Sequence, residues 1–369
     1  MSPSPLLTEK GDMQSWPYPF DRHSRRVRHY WLIVLCFCTG CVLTWILVDQ
    51  WTTPSPVDAV PIHQGPTKES NKPPAPAIAI AVASQRGDNT SWLNFFSKWP
   101  KTVYVTDDPA ANLTVPANKG REGMVYLTYI IDNYDNLPET IIFSHSKRFQ
   151  WHNDDPLYDG QAVLERLNIP YVQSEGYVNL RCVWNLGCPA EIRPLVEAEA
   201  PFPASDPHSE GARAGSFYKE TFEELFPNVT VPEQVGLSCC AQFAATAKKI
   251  RERPKSDYLR YRDWLIRTPL KDHLSGRILE YSWHIIFGKD AVFCPVASEC
   301  YCKLFGLCGL KCEEEGACRD AYTLPPVATL PESWPDRDWD DNWRNATQVR
   351  HKFVEDNMRS RPSPDPLRG

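Results

Sequence analysis

The spacing of apolar residues between Asn118 and Asp155 constrains the fold more than any other feature of this chain. Met124, Leu127, Ile131 and Tyr134 recur every three or four residues and Ile130 widens the stripe, so the segment predicts a helix with one face that must pack. Asn118-Lys119-Gly120 supplies the turn before it, and Glu122 suits the positive end of the helix dipole. Asp132 to Pro138 ends the helix. Thr140-Ile141-Ile142-Phe143 is β-branched and aromatic, too short for a helix, and predicts a buried strand. A helix followed directly by such a strand belongs to an α/β layer, in which ligands bind beyond the carboxyl ends of the strands. That edge begins at Ser144 and runs to Asp155.

Two earlier runs extend the pattern. Ala77 to Ala83 (AIAIAVA) is apolar without alternation, as expected of a parallel strand buried on both faces. Thr102 to Thr106 (TVYVT) predicts a second strand, ending at Asp107-Asp108. The fold class expected is therefore α/β, an open and mostly parallel sheet in a glycosyltransferase A-like layout, by analogy at the level of fold.

Before the sheet lies a different chemistry. Tyr30 to Val48 is nineteen residues without a charge, long enough to cross the hydrocarbon of a bilayer as one helix. Arg22, Arg25, Arg26 and Arg28 precede it, so the positive-inside rule keeps residues 1–29 in the cytosol and sends the rest across. Prolines crowd residues 49–76 into a stiff stem. The expectation is a single-pass type II membrane protein of the Golgi, endoplasmic reticulum or plasma membrane. Four Asn-x-Ser/Thr sequons, at Asn89, Asn112, Asn228 and Asn345, all follow the span and fit a translocated surface. Of thirteen cysteines, three lie in the span and ten follow it, an even number that allows five bridges. A net charge of -6 gives no basic face for nucleic acid.

The globular part is expected over residues 77–293. It holds helices at Tyr158 to Leu167, Phe217 to Phe226, Ala247 to Arg253, Tyr258 to Ile266 and Ile278 to Phe287, and a buried strand within Ser238 to Thr246. Residues 190–214 lack pattern and are expected to be loop. Cys182 and Cys188 are close enough for a local bridge. Residues 294–318 carry six cysteines, and after a translocated span such density favours disulfides over zinc. A C-terminal extension, 319–369, follows, with a helix over Gln348 to Met358.

The runs NKGREGMVYLTYIIDNYDNLPETIIFSHSKRFQWHNDDPLYDG, GYVNLRCVWNLGCPAEIRP, CCAQFAATAKKIRERPKSDYLRYRDWLI and SGRILEYSWHIIFG together resemble the fungal domain-of-unknown-function 3431 (DUF3431) family over roughly residues 77 to 295. The resemblance implies a single-span or secreted protein and brings no activity with it. At the third run this chain reads Cys239-Cys240 where the family tends to place a glycine before Ala-Gln-Phe.

Chemistry is expected at three places. Asp154 and Asp155, with His152, form an oxygen- and nitrogen-bearing set that could hold Mn²⁺ or Mg²⁺ against a nucleotide-sugar diphosphate; an Asx turn at Asn153 to Pro156 is the structural alternative. His145, Arg148 and Trp151 on the same loop, and Arg121 at the helix start, are candidate substrate-binding residues. Glu280 and His284, four apart on one predicted helix face, are the candidate general base and its partner, or else a packing pair. The expectation is a metal-dependent, glycosyltransferase-like enzyme joining a nucleotide sugar to a glycan acceptor. The alternative is a non-catalytic lumenal or cell-surface module that binds carbohydrate or protein through Trp151.

Overall fold

A computed structural model describes residues 77–199, 213–319 and 330–358. The expected cytosolic tail, membrane span and stem lie outside the described residues, among which no helix is long and apolar enough to cross a membrane. The strands, in chain order, are β1 (Ile78–Ser84), β2 (Lys101–Val105), β3 (Thr140–His145), β4 (Tyr177–Asn179), β5 (Gly236–Leu237), β6 (Phe243–Thr246) and β7 (Val292–Phe293). Among the helices, α1 is Glu122–Asn133, α2 Gly160–Glu165, α3 Ile169–Glu175, α4 Pro194–Glu199, α5 Ala214–Leu225 and α6 Ala247–Arg251. They are followed by α7 (Lys255–Arg267), α8 (Asp272–Glu280), α9 (Trp283–Ile286), α10 (Ala297–Phe305) and α11 (Ala346–Asn357).

Five strands form the main sheet in the order β2-β1-β3-β6-β4. β1 lies parallel to β2 and β3, while β6 runs antiparallel to both of its neighbours, β3 and β4. The sheet is thus mixed and mostly parallel, with one reversed strand inside it. β5 and β7 make a separate parallel pair. Successive residues along the central strands serve opposite faces: Ile80, Val82, Ile142 and Ala244 enter one apolar cluster, and Ala81, Ile141, Phe143, Phe243 and Ala245 enter the other. Both faces are covered, which is why β1 reads as an unbroken apolar run.

The α1 helix is more deeply set than an amphipathic stripe predicts, because Gly123 to Ile131 are all buried. It packs on β1, α7 and α8 at once. A Cβ on Gly120 would lie 2.3 Å from a methyl of Leu265 in α7, and the residue also takes a φ of +71°; glycine is required there on both counts.

Three expectations are corrected. Residues 190–214 contain α4 and the start of α5, whose helices pack on one another. The single helix expected over Ile278 to Phe287 is two: α8 stops at Glu280, and Tyr281 (φ −87°, ψ 14°) and Ser282 turn the chain before α9. Cys182 and Cys188 do not bridge one another. Leu186 and Gly187 between them accept backbone hydrogen bonds from Cys239 and Leu237, and the sulfurs pair instead as Cys182–Cys300 and Cys188–Cys294.

Those two bridges tie the late cysteine-rich segment to the sheet. Each closes a loop of over a hundred residues, which in a chain-entropy account restricts the unfolded state by about 4.7 kcal/mol. Tyr301, Leu304 and Phe305 of α10 then enter the same apolar cluster as β1 and β3, so this segment is part of the core. Cys302–Cys308, Cys312–Cys318 and the adjacent pair Cys239–Cys240 complete five bridges among ten cysteines. Phe353 of α11 joins that core as well, and Arg350 reaches the buried Asp159 carboxylate. All of this belongs to one unit, Pro73–Gly369.

Candidate functional site

The carboxyl edge of the sheet gathers the chemistry. His145 is the last residue of β3, and its position is set by the strand itself. Its Nε2 lies 2.9 Å from the Cys240 carbonyl oxygen, which can only accept, so Nε2 carries a proton and donates. Its Nδ1 then faces two groups: His152 Nδ1 at 3.2 Å and a Glu122 carboxylate oxygen at 3.5 Å. A neutral His145 accepts a proton from His152; an imidazolium donates instead. Either way one ring nitrogen lies between Glu122 and His152. Burial, and then the charges of His145, Arg181, Arg121 and Arg277, hold the His152 imidazole well below its ordinary pKa.

Gln242 locks this arrangement. Its side-chain oxygen accepts from the His145 amide at 3.2 Å and the Ser144 hydroxyl at 3.3 Å, while its amide nitrogen donates to Asn153 at 3.0 Å. One residue before β6 thereby joins the end of β3 to the 152–153 loop. Beside it Cys239 and Cys240 are bonded to one another and buried, and Cys240 and Ala241 both take positive φ, 93° and 47°. The Cys240 amide donates to Glu280 at 2.5 Å, and the second Glu280 oxygen lies 3.3 Å from Arg277. Burial raises the Glu280 carboxyl, against the lowering pull of Arg277 and the Cys240 N–H. The two sulfurs and a Glu280 oxygen lie within 4.8 Å of one another, but sulfurs bonded together offer no thiolate to a metal.

At the start of α1, Gly120 and Arg121 both have positive φ, 71° and 50°, and their amides donate to Asp272 at the head of α8. Strain of this kind in a non-glycine residue persists only where the surroundings hold it. The aliphatic part of the Arg121 side chain lies over Gly276, where a Cβ would meet it at 3.1 Å. Arg121 thereby separates two polar cavities. The first, of about 340 Å³, lies at the carboxyl ends of β1 and β3 and is lined by Ser84, Asp88, Glu122, His145 and Lys147 among others. The second, of about 480 Å³, is lined by Glu191, Arg213, His273 and Arg277. Arg121 is part of both walls. Partial burial raises the Glu191 carboxyl, with Arg277 opposing.

The other predicted residues serve the framework. Asp154 accepts from the Cys182 and Val183 amides at 2.7 and 3.3 Å and, on its other oxygen, from the Tyr301 hydroxyl. Burial raises its carboxyl in spite of those bonds and of Arg181 nearby. Asp155 pairs with Arg166 at 2.7 Å and accepts from the Leu157 amide at 2.9 Å. Both oxygens of both carboxylates are engaged inside the protein, so this pair does not fit Mn²⁺ or Mg²⁺, and His152 turns to His145 instead. The Asx-turn reading suits Asp155 better. Arg148, expected on a diphosphate, is bidentate to the buried Asp159 at 2.9 Å. Trp151 stacks edge-on with His152 at 4.2 Å, with the Arg181 guanidinium 5.3 Å over its ring. His284 is fully buried beneath α9, donating to the Ala291 carbonyl at 2.9 Å, and burial lowers its pKa to about 4. It is no partner for Glu280, because the break at Tyr281–Ser282 ends the helical register. Asn89, Asn112, Asn228 and Asn345 are all exposed, as glycan acceptors must be.

Fold and site together define a mixed α/β domain with a histidine-bearing, two-chambered polar edge. The chain belongs to the family described as "Protein of unknown function (DUF3431)", whose model matches residues 80–303. No curated protein and no solved structure matches it.

Proposed function

We propose that this protein is a glycosyltransferase-like enzyme that uses a nucleotide sugar and works without a metal on Asp154 and Asp155. The observation that carries the reading is the pair of cavities sharing Arg121 at the sheet's carboxyl edge, since a transfer reaction needs two sites that meet at one point. The donor occupies the chamber lined by Ser84, His145 and Lys147, where Arg121 and Lys147 face its diphosphate. The acceptor occupies the other, where Glu191 takes the proton of its hydroxyl. That oxygen attacks the sugar's anomeric carbon, the bond to the diphosphate breaks, and the nucleoside diphosphate leaves toward Arg121. Glu280, bound on both oxygens and lining neither chamber, positions Cys240 and Arg277.

The binding-module reading is less favoured, because Trp151 is packed against His152 and Arg181. The setting we propose is a type II, single-span anchor over Tyr30–Val48 with the domain in the lumen of the secretory pathway, which the sequons and the five disulfides support.

The test is a thermal-shift and turnover screen of the full chain against uridine and guanosine nucleotide sugars. A donor at a hundred times its dissociation constant adds about 2.7 kcal/mol to stability, and Arg121→Ala removes that gain. Absence of any shift or turnover across the panel sinks the reading.

A further inference from the structure

Two adjacent cysteines stand between the histidine and glutamate halves of the edge. The Cys239–Cys240 bond closes a small ring around a single peptide unit, and both polar groups of Cys240 are committed: its amide to Glu280 and its carbonyl to His145 Nε2. Cys240 and Ala241 hold left-handed backbone that residues with a Cβ rarely adopt. The sulfur of Cys240 also lies 3.3 Å from Arg181 Nη1. The other four bridges join residues at least six apart, and none has hydrogen bonds to both halves of the site.

We propose that the Cys239–Cys240 bond is a redox switch for the His145 edge, opened by a dithiol reductant and closed again by a disulfide oxidant through the reverse exchange. The proposal rests on the reading of that edge as a ligand site. When the edge opens far enough to expose the buried Cys239 sulfur, a thiolate of the dithiol attacks it, the S–S bond breaks, and its electron pair leaves on Cys240 Sγ beside the Arg181 guanidinium, a cation that favours a departing thiolate. The second thiol of the reagent then displaces Cys239 from the mixed disulfide. The reagent ends as a disulfide and the protein gains two electrons and two protons, as two thiols. Once the ring is open, Cys240 and Ala241 can return to ordinary backbone. The Cys240 carbonyl then leaves His145, and its amide leaves Glu280. His145 loses the acceptor that fixes its tautomer, and the donor chamber loses its ordered wall.

The experiment titrates the full chain with dithiothreitol, maps alkylated cysteines by mass spectrometry, follows the imidazole signal of His145 (assigned with His145→Gln), and measures binding of uridine diphosphate as the probe. The expected result is alkylation of Cys239 and Cys240 before the other four pairs, a moved His145 signal, probe affinity at least tenfold weaker, and recovery on reoxidation. C239S/C240S should show the reduced behaviour and no redox response. The switch is overturned if this pair stays oxidised after the others open, or if it opens while His145 and probe binding stay unchanged. If the probe binds in neither state but His145 still moves on reduction, the transferase reading fails and the switch stands.

Discussion

Two sets of carboxylates lie near this sheet edge and have opposite fates: Asp154 and Asp155 are buried, whereas Glu122 is half-buried and Glu191 exposed. Asp154 and Asp155 spend every oxygen on the framework: the Cys182 and Val183 amides, the Tyr301 hydroxyl, the Arg166 guanidinium and the Leu157 amide. Glu122 and Glu191 line the two cavities, with one Glu122 oxygen 3.5 Å from His145 Nδ1 and Glu191 accepting from the Gly187 amide. Glu280 is intermediate, held by the chain yet linked to His145 through one residue, Cys240. The difference teaches that an acidic residue's neighbours decide its role more than its place at a strand end. A carboxylate whose partners come from distant segments is a fastening; one whose partners are a cavity and a nearby guanidinium is available for chemistry.

The comparison breaks first at Asp155. Its pair with Arg166 is almost wholly withdrawn from water on both sides, and removing one member leaves a buried charge without a counterpart. Asp155→Ala should cost about 3–5 kcal/mol in urea unfolding. A loss below about 1 kcal/mol would mean the carboxylate is not structural, and the metal expectation would return.

Acid provides the next test, through a group on neither side of the comparison. The His284 pKa is lowered from 6.5 to about 4, so below pH 6.5 the unfolded chain takes up a proton that the folded chain refuses. Stability therefore falls as pH drops, by about 2 kcal/mol at pH 5 and about 3 by pH 4 from this residue alone. Glu280, Asp154 and His152 titrate as well, so the quantity to measure is the difference from His284→Gln in urea unfolding at pH 7.5 and pH 5. The variant should lack that increment of acid sensitivity. Equal slopes would show that the imidazole is not held neutral.

The fold was largely legible because its signals are local. β1, β2, β3 and α1 were each written in a run of fewer than fifteen residues whose apolar pattern sufficed, and the dense later cysteines were rightly read as bridges. Of the residues that meet at this edge, the sequence singled out His145, His152 and Arg121, which lie in or beside one helix–strand run. Gln242 and Cys240 reach His145 from about a hundred residues away, through β6, which is paired with β3 in reverse. No spacing rule along the chain encodes that meeting. Asp154 misled for the same reason, since Tyr301 and the Cys182 amide that occupy it are 147 and 28 residues away, while Asp155 is taken by Arg166, 11 residues on. Glu280 and His284 misled for a local reason: two residues between them turn the chain, and the four-residue rule applies only inside a continuous helix. Only Cys-Cys-Ala-Gln-Phe signalled the hidden half of the site, and what it signals is an unusual backbone, not a reaction.

The smallest effect on folding should accompany the sharpest effect on function, at Glu191. Its carboxylate is partly exposed, lines the cavity shared by Arg121 and Arg277, and is raised by what burial it has, with Arg277 opposing. Its carboxylate accepts from the Gly187 amide, a bond the glutamine oxygen can keep, so Glu191→Gln should change unfolding free energy by no more than about 0.5 kcal/mol. If Glu191 takes the acceptor proton, the same change removes the base and keeps the shape. Turnover should fall by about a hundredfold or more with donor affinity unaltered, because the donor lies on the other side of Arg121. A variant that loses stability instead would place Glu191 with Asp155 among the fastenings. One that keeps both stability and turnover would move the base to the Glu122–His145–His152 cluster, where Glu122→Gln becomes the decisive substitution.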